Sequence, residues 1–117
     1  MSLTLFERGL VAHLVADWLL QNDWMALNKT KLRHPAGWVH AGIHAICLGL
    51  ALGPLAGVVL GLAHLLQDTR APVDWWIRVF KKSDKAPEAR LIALCTDQVF
   101  HIAVIAAWVA LMGGRRA

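Results

Sequence analysis

"WVHAGIHAICLGLALGPLAGVVLGLAHLLQD", residues 38–68, is the stretch on which the fold turns. It is apolar enough to sit in lipid, yet it carries His40, His44, His64 and Asp68. No Asp, Glu, Lys or Arg occurs between positions 35 and 67, a run of 33 residues. A membrane-crossing helix takes about 20 mostly apolar residues, so the run is long enough for two short spans. Gly53-Pro54 divides it, because that pair breaks a helix and makes a turn.

Working outward gives four helical segments, at about 4–22 (extending toward 27), 36–52, 55–69, and from after Pro87 to 112. Gly113-Gly114 ends the last. Segments two and three are short for a bilayer core of about 30 Å, which calls for local thinning or a partly wet vestibule. Between segments three and four, Val73, Trp76, Ile77 and Phe80 recur at helical spacing with Arg78, Lys81 and Lys82 elsewhere on the wheel. That pattern reads as a short helix at the membrane surface. Gly49, Gly53, Gly57 and Gly61 follow at intervals of four, a spacing that lets helix backbones approach closely in a tight hairpin. The fold expected is all-α: one integral-membrane domain over residues 1–117, a four-helix transmembrane bundle with an interfacial helix between helices three and four.

The composition agrees, with 57% hydrophobic and only 17% charged residues in a chain of 117. The net charge of +4 does not mark a nucleic-acid surface, because the basic residues sit in the connections between apolar segments. The N-terminus lacks a basic region followed by a small-residue cleavage site, so no removable signal peptide is expected. Lys29, Lys31, Arg33, Arg70, Arg78, Lys81, Lys82, Lys85 and Arg90 fall on one face of a four-span topology, and Arg8, Arg115 and Arg116 on the other. Nine against three places the first set in the cytoplasm and both termini outside. Trp24, Trp38, Trp75 and Trp76 then mark the cytoplasmic interface, with Trp108 nearer the other. Cys47 and Cys95 lie in apolar segments without a CxxC pattern and read as small core residues with no disulfide.

Each segment carries one pair of metal-capable residues four apart: His13 and Asp17, His40 and His44, His64 and Asp68, Asp97 and His101. That spacing puts both side chains on one helix face, one turn apart. In the topology above, all four pairs fall in the cytoplasmic half. Eight imidazole and carboxylate groups suit one or two divalent ions (zinc, iron or manganese), either all as ligands or partly as outer hydrogen-bonding groups. Gln21, Asp23, Lys29 and Gln98 lie nearby in sequence, and His34 has no assigned role. The alternatives are a metal-free polar network or proton path, or axial ligation of haem or a pigment.

"HLVADWLLQNDWMALNK", "HAGIH", "HLLQD" and "DQVFH", in that order, resemble the signatures of the bacterial and phage integral-membrane family known as domain of unknown function 3307. The resemblance runs from about Val11 to His101 and implies a small helical membrane fold with no established activity. A looser likeness is to membrane-bound metal-dependent hydrolases. Two functions follow as expectations. One is a metal-dependent hydrolase acting on lipid or lipid-linked phosphate at the cytoplasmic face. The other is a non-enzymatic transmembrane subunit of a homo-oligomer or larger complex, pinned by its metal or polar network.

The charge asymmetry makes a prediction about topology. Single cysteines introduced at Ser83 and near the C-terminus, in a background without the native thiols, should label from the cytoplasm and from outside respectively. The reverse pattern contradicts the assignment.

Overall fold

The computed structural model describes residues 2–82 and 85–112, which form six helices and no strand. The expected helix end at Gly113-Gly114 and the basic residues Arg115 and Arg116 lie outside the described residues.

Helix α1, Leu5–Leu14, begins with a reciprocal cap in which Thr4 Oγ1 accepts from the Glu7 amide and Glu7 Oε1 accepts from the Thr4 amide. It opens into a π-helical turn, Val15–Leu19, and there the first expected segment stops short of position 27. Leu20 leaves helical geometry, and Asn22 starts a separate helix α2, Asp23–Asn28, by accepting from the Met25 amide at 3.0 Å. Helix α3, Pro35–Leu52, is capped by His34, whose Nδ1 accepts from the Ala36 amide at 3.0 Å. Helices α4, Pro54–Gln67, and α6, Ala89–Met112, complete the four long elements. The connection between them holds helix α5, Ala71–Trp75, which widens into a second π-helical segment, Trp76–Lys81. Of its expected apolar stripe, Val73 and Ile77 are buried, while Trp76 stacks on an exposed Phe80.

The α3–α4 hairpin is the tightest contact in the bundle. Gly53 turns the chain at φ 109°, a conformation in which a side chain is strained. A Cβ on Gly57 would lie 2.5 Å from the Ala45 carbonyl oxygen and 2.8 Å from Gly49 Cα. Near the hairpin turn, Leu48, Leu52, Ala56, Leu60 and Ile105 form the apolar core, with Phe6 and Trp108 packed against it. At the other end of these helices the interior is polar.

Polarity is therefore inverted relative to a water-soluble domain. Leu50 is 86% exposed and Leu111 74%, while five histidines and three aspartates are buried. The same inversion corrects the reading of the cysteines as core: Cys47 is only half-buried and Cys95 is exposed. Two helices, α3 and α6, are long and apolar enough to cross a membrane, with mean hydropathies of 1.3 and 1.7. Helix α4 is apolar but shorter.

The hairpin geometry predicts opposite responses to the same substitution. Gly57→Ala must displace backbone and should cost about 1–3 kcal/mol. Gly42→Ala meets nothing within 4 Å and should be neutral or slightly stabilising. Thermal unfolding in detergent reads the difference, and equal midpoints would mean the helices are not in backbone contact.

Candidate metal centre

The four long helices each present their pair at the same end of the bundle. His13 lies in the last turn of α1 and Asp17 in the π-helical turn after it. His40 and His44 lie in the first half of α3, and His64 lies in the last turn of α4 with Asp68 as its C-cap. Asp97 and His101 come from the first half of α6. All eight residues are at most 3% exposed, and their ligand atoms form three overlapping groups.

The first group is Asp17, His40, His44 and His64. Asp17 Oδ1 lies 3.0 Å from His40 Nε2, 3.4 Å from His44 Nε2 and 3.8 Å from His64 Nε2. His40 Nε2 and His64 Nε2 are 3.0 Å apart. Four ligands about 2.0–2.1 Å from a tetrahedral ion stand roughly 3.3 Å from one another, and the observed separations bracket that value. The second group is Asp68, Asp97 and His101, and the third joins His13, His64 and His101. Asp68 reaches both sides: Oδ2 lies 2.8 Å from His64 Nε2 and 3.3 Å from His40 Nε2, while Oδ1 lies 3.5 Å from His101 Nε2. Asp97 Oδ1 closes that side at 3.3 Å from His101 Nε2.

Of these contacts, His40 Nε2 to Asp17 Oδ1 and His64 Nε2 to His40 Nε2 are hydrogen bonds, while several of the others are close without being so aligned. His44 Nε2, His101 Nε2, Asp97 Oδ1 and both Asp68 oxygens are buried with no hydrogen-bond partner. Each such atom costs about 1–3 kcal/mol if left uncompensated. Ligand atoms gathered within 4.8 Å of one another, several of them without a donor, are an arrangement that a cation satisfies, so the buried groups can hold a metal ion. Charge points the same way. Among the described residues, Lys29 is the one lysine or arginine paired with the three carboxylates, its Nζ 3.9 Å from Asp17 Oδ1. The remaining two negative charges match one divalent ion. The donor count leaves room for a second, and Asp68 lies within reach of histidines of both groups.

Gln98 organises the edge of the site. Its Nε2 donates to Asp17 Oδ2 at 2.7 Å, and because a carboxylate only accepts, the amide orientation is fixed. Gln98 Oε1 then faces His13 Nε2 at 3.0 Å, so that nitrogen donates. His13 can ligate only through Nδ1, or it orients its neighbours. Of the other polar residues near the pairs in sequence, Lys29 and Gln98 join the site. Asp23 is exposed in α2, and Gln21 Oε1 is buried without a hydrogen-bond partner. His34 is a helix cap, legible only from its place just before Pro35.

The centre is tightly closed. Neighbouring histidine ring centroids stand 3.5–5.9 Å apart, so the imidazoles pack directly against one another. A cavity of about 10 Å³ lies against His13, His64, His101 and Gln67. That is room for one water molecule.

A family model described as "Protein of unknown function (DUF3307)" matches residues 5–115. No curated protein and no solved structure matches the chain.

Within α3 the site predicts face specificity. His40→Ala and His44→Ala should each lower metal content at least severalfold, while Ile46→Ala, whose side chain is 65% exposed, should leave it unchanged. Elemental analysis of the purified variants reads the result. Equal losses at all three positions would mean general packing and not ligation.

Proposed function

We propose that this chain, which belongs to the DUF3307 family of proteins of unknown function, is a membrane-embedded metal protein whose centre lies near the cytoplasmic face. The observation that carries the reading is the meeting of four i,i+4 pairs, one from each long helix and the turn that follows it, in a buried set with several unpartnered polar atoms. Membrane embedding is supported by the inverted polarity. Only 17% of the apolar window of α6 and 39% of that of α3 is buried inside the protein, whereas a soluble core helix is mostly covered. Four spans would comprise α1 with its π-helical turn, α3, α4 and α6. Helix α4, at 14 residues, reaches about 21 Å at the helical rise, so the bilayer thins beside it.

The reaction class that suits the site is hydrolysis of a phosphate ester carried by a membrane lipid. When bound, a divalent ion supplies Lewis acidity and a water that ionises near neutral pH. The chain supplies the rest. The cavity beside His13, His64 and His101 admits a single water. Gln98 and Lys29 hold Asp17 in one orientation, and the surrounding apolar side chains exclude bulk solvent. The second reading is a closed structural centre in a non-enzymatic subunit, and the near-complete burial of all eight residues favours it.

Protein purified without chelator should contain one or two equivalents of zinc, iron or manganese and lose them on acidification as the histidines protonate. Loaded protein should release phosphate from phosphatidate, and Asp97→Asn should reduce metal content without changing helix content. Stoichiometric metal with no hydrolysis of any phosphate ester would select the structural reading. A protein that contains no metal and gains none on titration would end both.

A further inference from the structure

A second feature lies one helical turn from the centre. A cleft of about 580 Å³ opens between α5 and α6 and is lined by Arg70, Arg78 and Arg90 together with Asp74 and apolar residues. Arg70 follows the α4 cap Asp68 by two residues and sits at φ 69°, a left-handed conformation that is strained for a non-glycine residue. That turn sends the chain from α4 into α5 and holds the Arg70 side chain at the cleft. Its Nε is buried with no hydrogen-bond partner. Among the described residues, none of the three arginines forms an ion pair, although Asp74 shares the cleft. On α6, Arg90, Ala93 and Leu94 precede Asp97 and His101 at spacings that keep them on one face. The cleft therefore runs along the same helix face as the metal-capable pair.

We propose that this cleft binds a phosphate monoester group, presented by a membrane lipid, with Arg70, Arg78 and Arg90 as its ligands. Three guanidinium groups and one carboxylate leave two positive charges, which match a phosphate monoester at neutral pH. Guanidinium pairs with phosphate oxygens in a bidentate fork, and a buried unpartnered Nε is a donor already held for that purpose. Leu91 and Leu94 are exposed along α6 beside the arginines, where acyl chains would run. The proposal deepens the function above, since it supplies the substrate class and its place. It depends on that reading for the chemistry alone and not for the binding.

Native mass spectrometry of the intact protein in detergent reads lipid adducts and metal content in one spectrum. With phosphatidate and phosphatidylcholine offered together, the wild type should retain phosphatidate preferentially. Arg78→Gln and Arg90→Gln should each reduce retention about tenfold. Arg78→Lys should restore part of it, and Arg33→Gln, in a different connection, should have no effect. Displacement by millimolar inorganic phosphate would show that the cleft reads the phosphate alone, while resistance would show that the acyl chains contribute. Both support the site. Retention of phosphatidate by a protein that contains no metal and gains none on titration would support the cleft while removing the metal reading. Equal retention of the two lipids, or unchanged retention in both glutamine variants with their metal content intact, would overturn the proposal.

Discussion

Three carboxylates and five imidazoles enclosed by apolar side chains set the condition that the rest of this structure meets. Ionised groups withdrawn from water are held only by opposite charge and directed hydrogen bonds. Here the protein itself supplies Lys29 and Gln98 and leaves several buried lone pairs without donors. The polar interior can hold a cation. The exterior leaves leucine, isoleucine and valine side chains pointing outward, and two of the helices are long and apolar enough to cross a membrane.

Local structure serves that condition at each helix. The π-helical turn at Val15–Leu19 places Asp17 against the histidines of both α3 and α4. Such turns recur at functional sites because the widened backbone re-aims side chains. The glycines of the hairpin let α3 and α4 approach until His44 and His64 stack at 3.5 Å. Asp68 can face both ligand groups because it caps α4 at the point where the chain turns away. The fold thus concentrates its close packing near the hairpin turn and its charge at the opposite end.

Much of this was legible in the sequence, for physical reasons that also mark the limits. Helical periodicity makes i,i+4 pairs readable, so all eight residues could be named as one set before any coordinates. Gly53-Pro54 announces a turn, and the hairpin bounds follow closely. The π-helical turns were not legible, since an extra residue in a turn is selected by tertiary packing and leaves no compositional mark. For that reason α1 and α2 read as one extended segment. Cys95 departs from the core reading because α6 leaves most of its apolar residues exposed, so an apolar neighbourhood does not mark the interior there. Arg70 gave no signal beyond its charge, because its role depends on a left-handed backbone turn. Gln98 was noticed for its place beside Asp97, but its link to Asp17 and His13 spans more than 80 positions of sequence.

The central claim is that imidazole nitrogens and carboxylate oxygens of these four helices hold a metal together. X-ray absorption spectroscopy of metal-loaded protein tests it most directly. The structure predicts a nitrogen and oxygen shell at about 2.0–2.2 Å with the outer scattering of several imidazoles and no sulfur. With two ions bound, a metal–metal vector of about 3.5–4 Å should also appear. A sulfur shell, or a spectrum without imidazole scattering, would place the metal elsewhere and contradict the account.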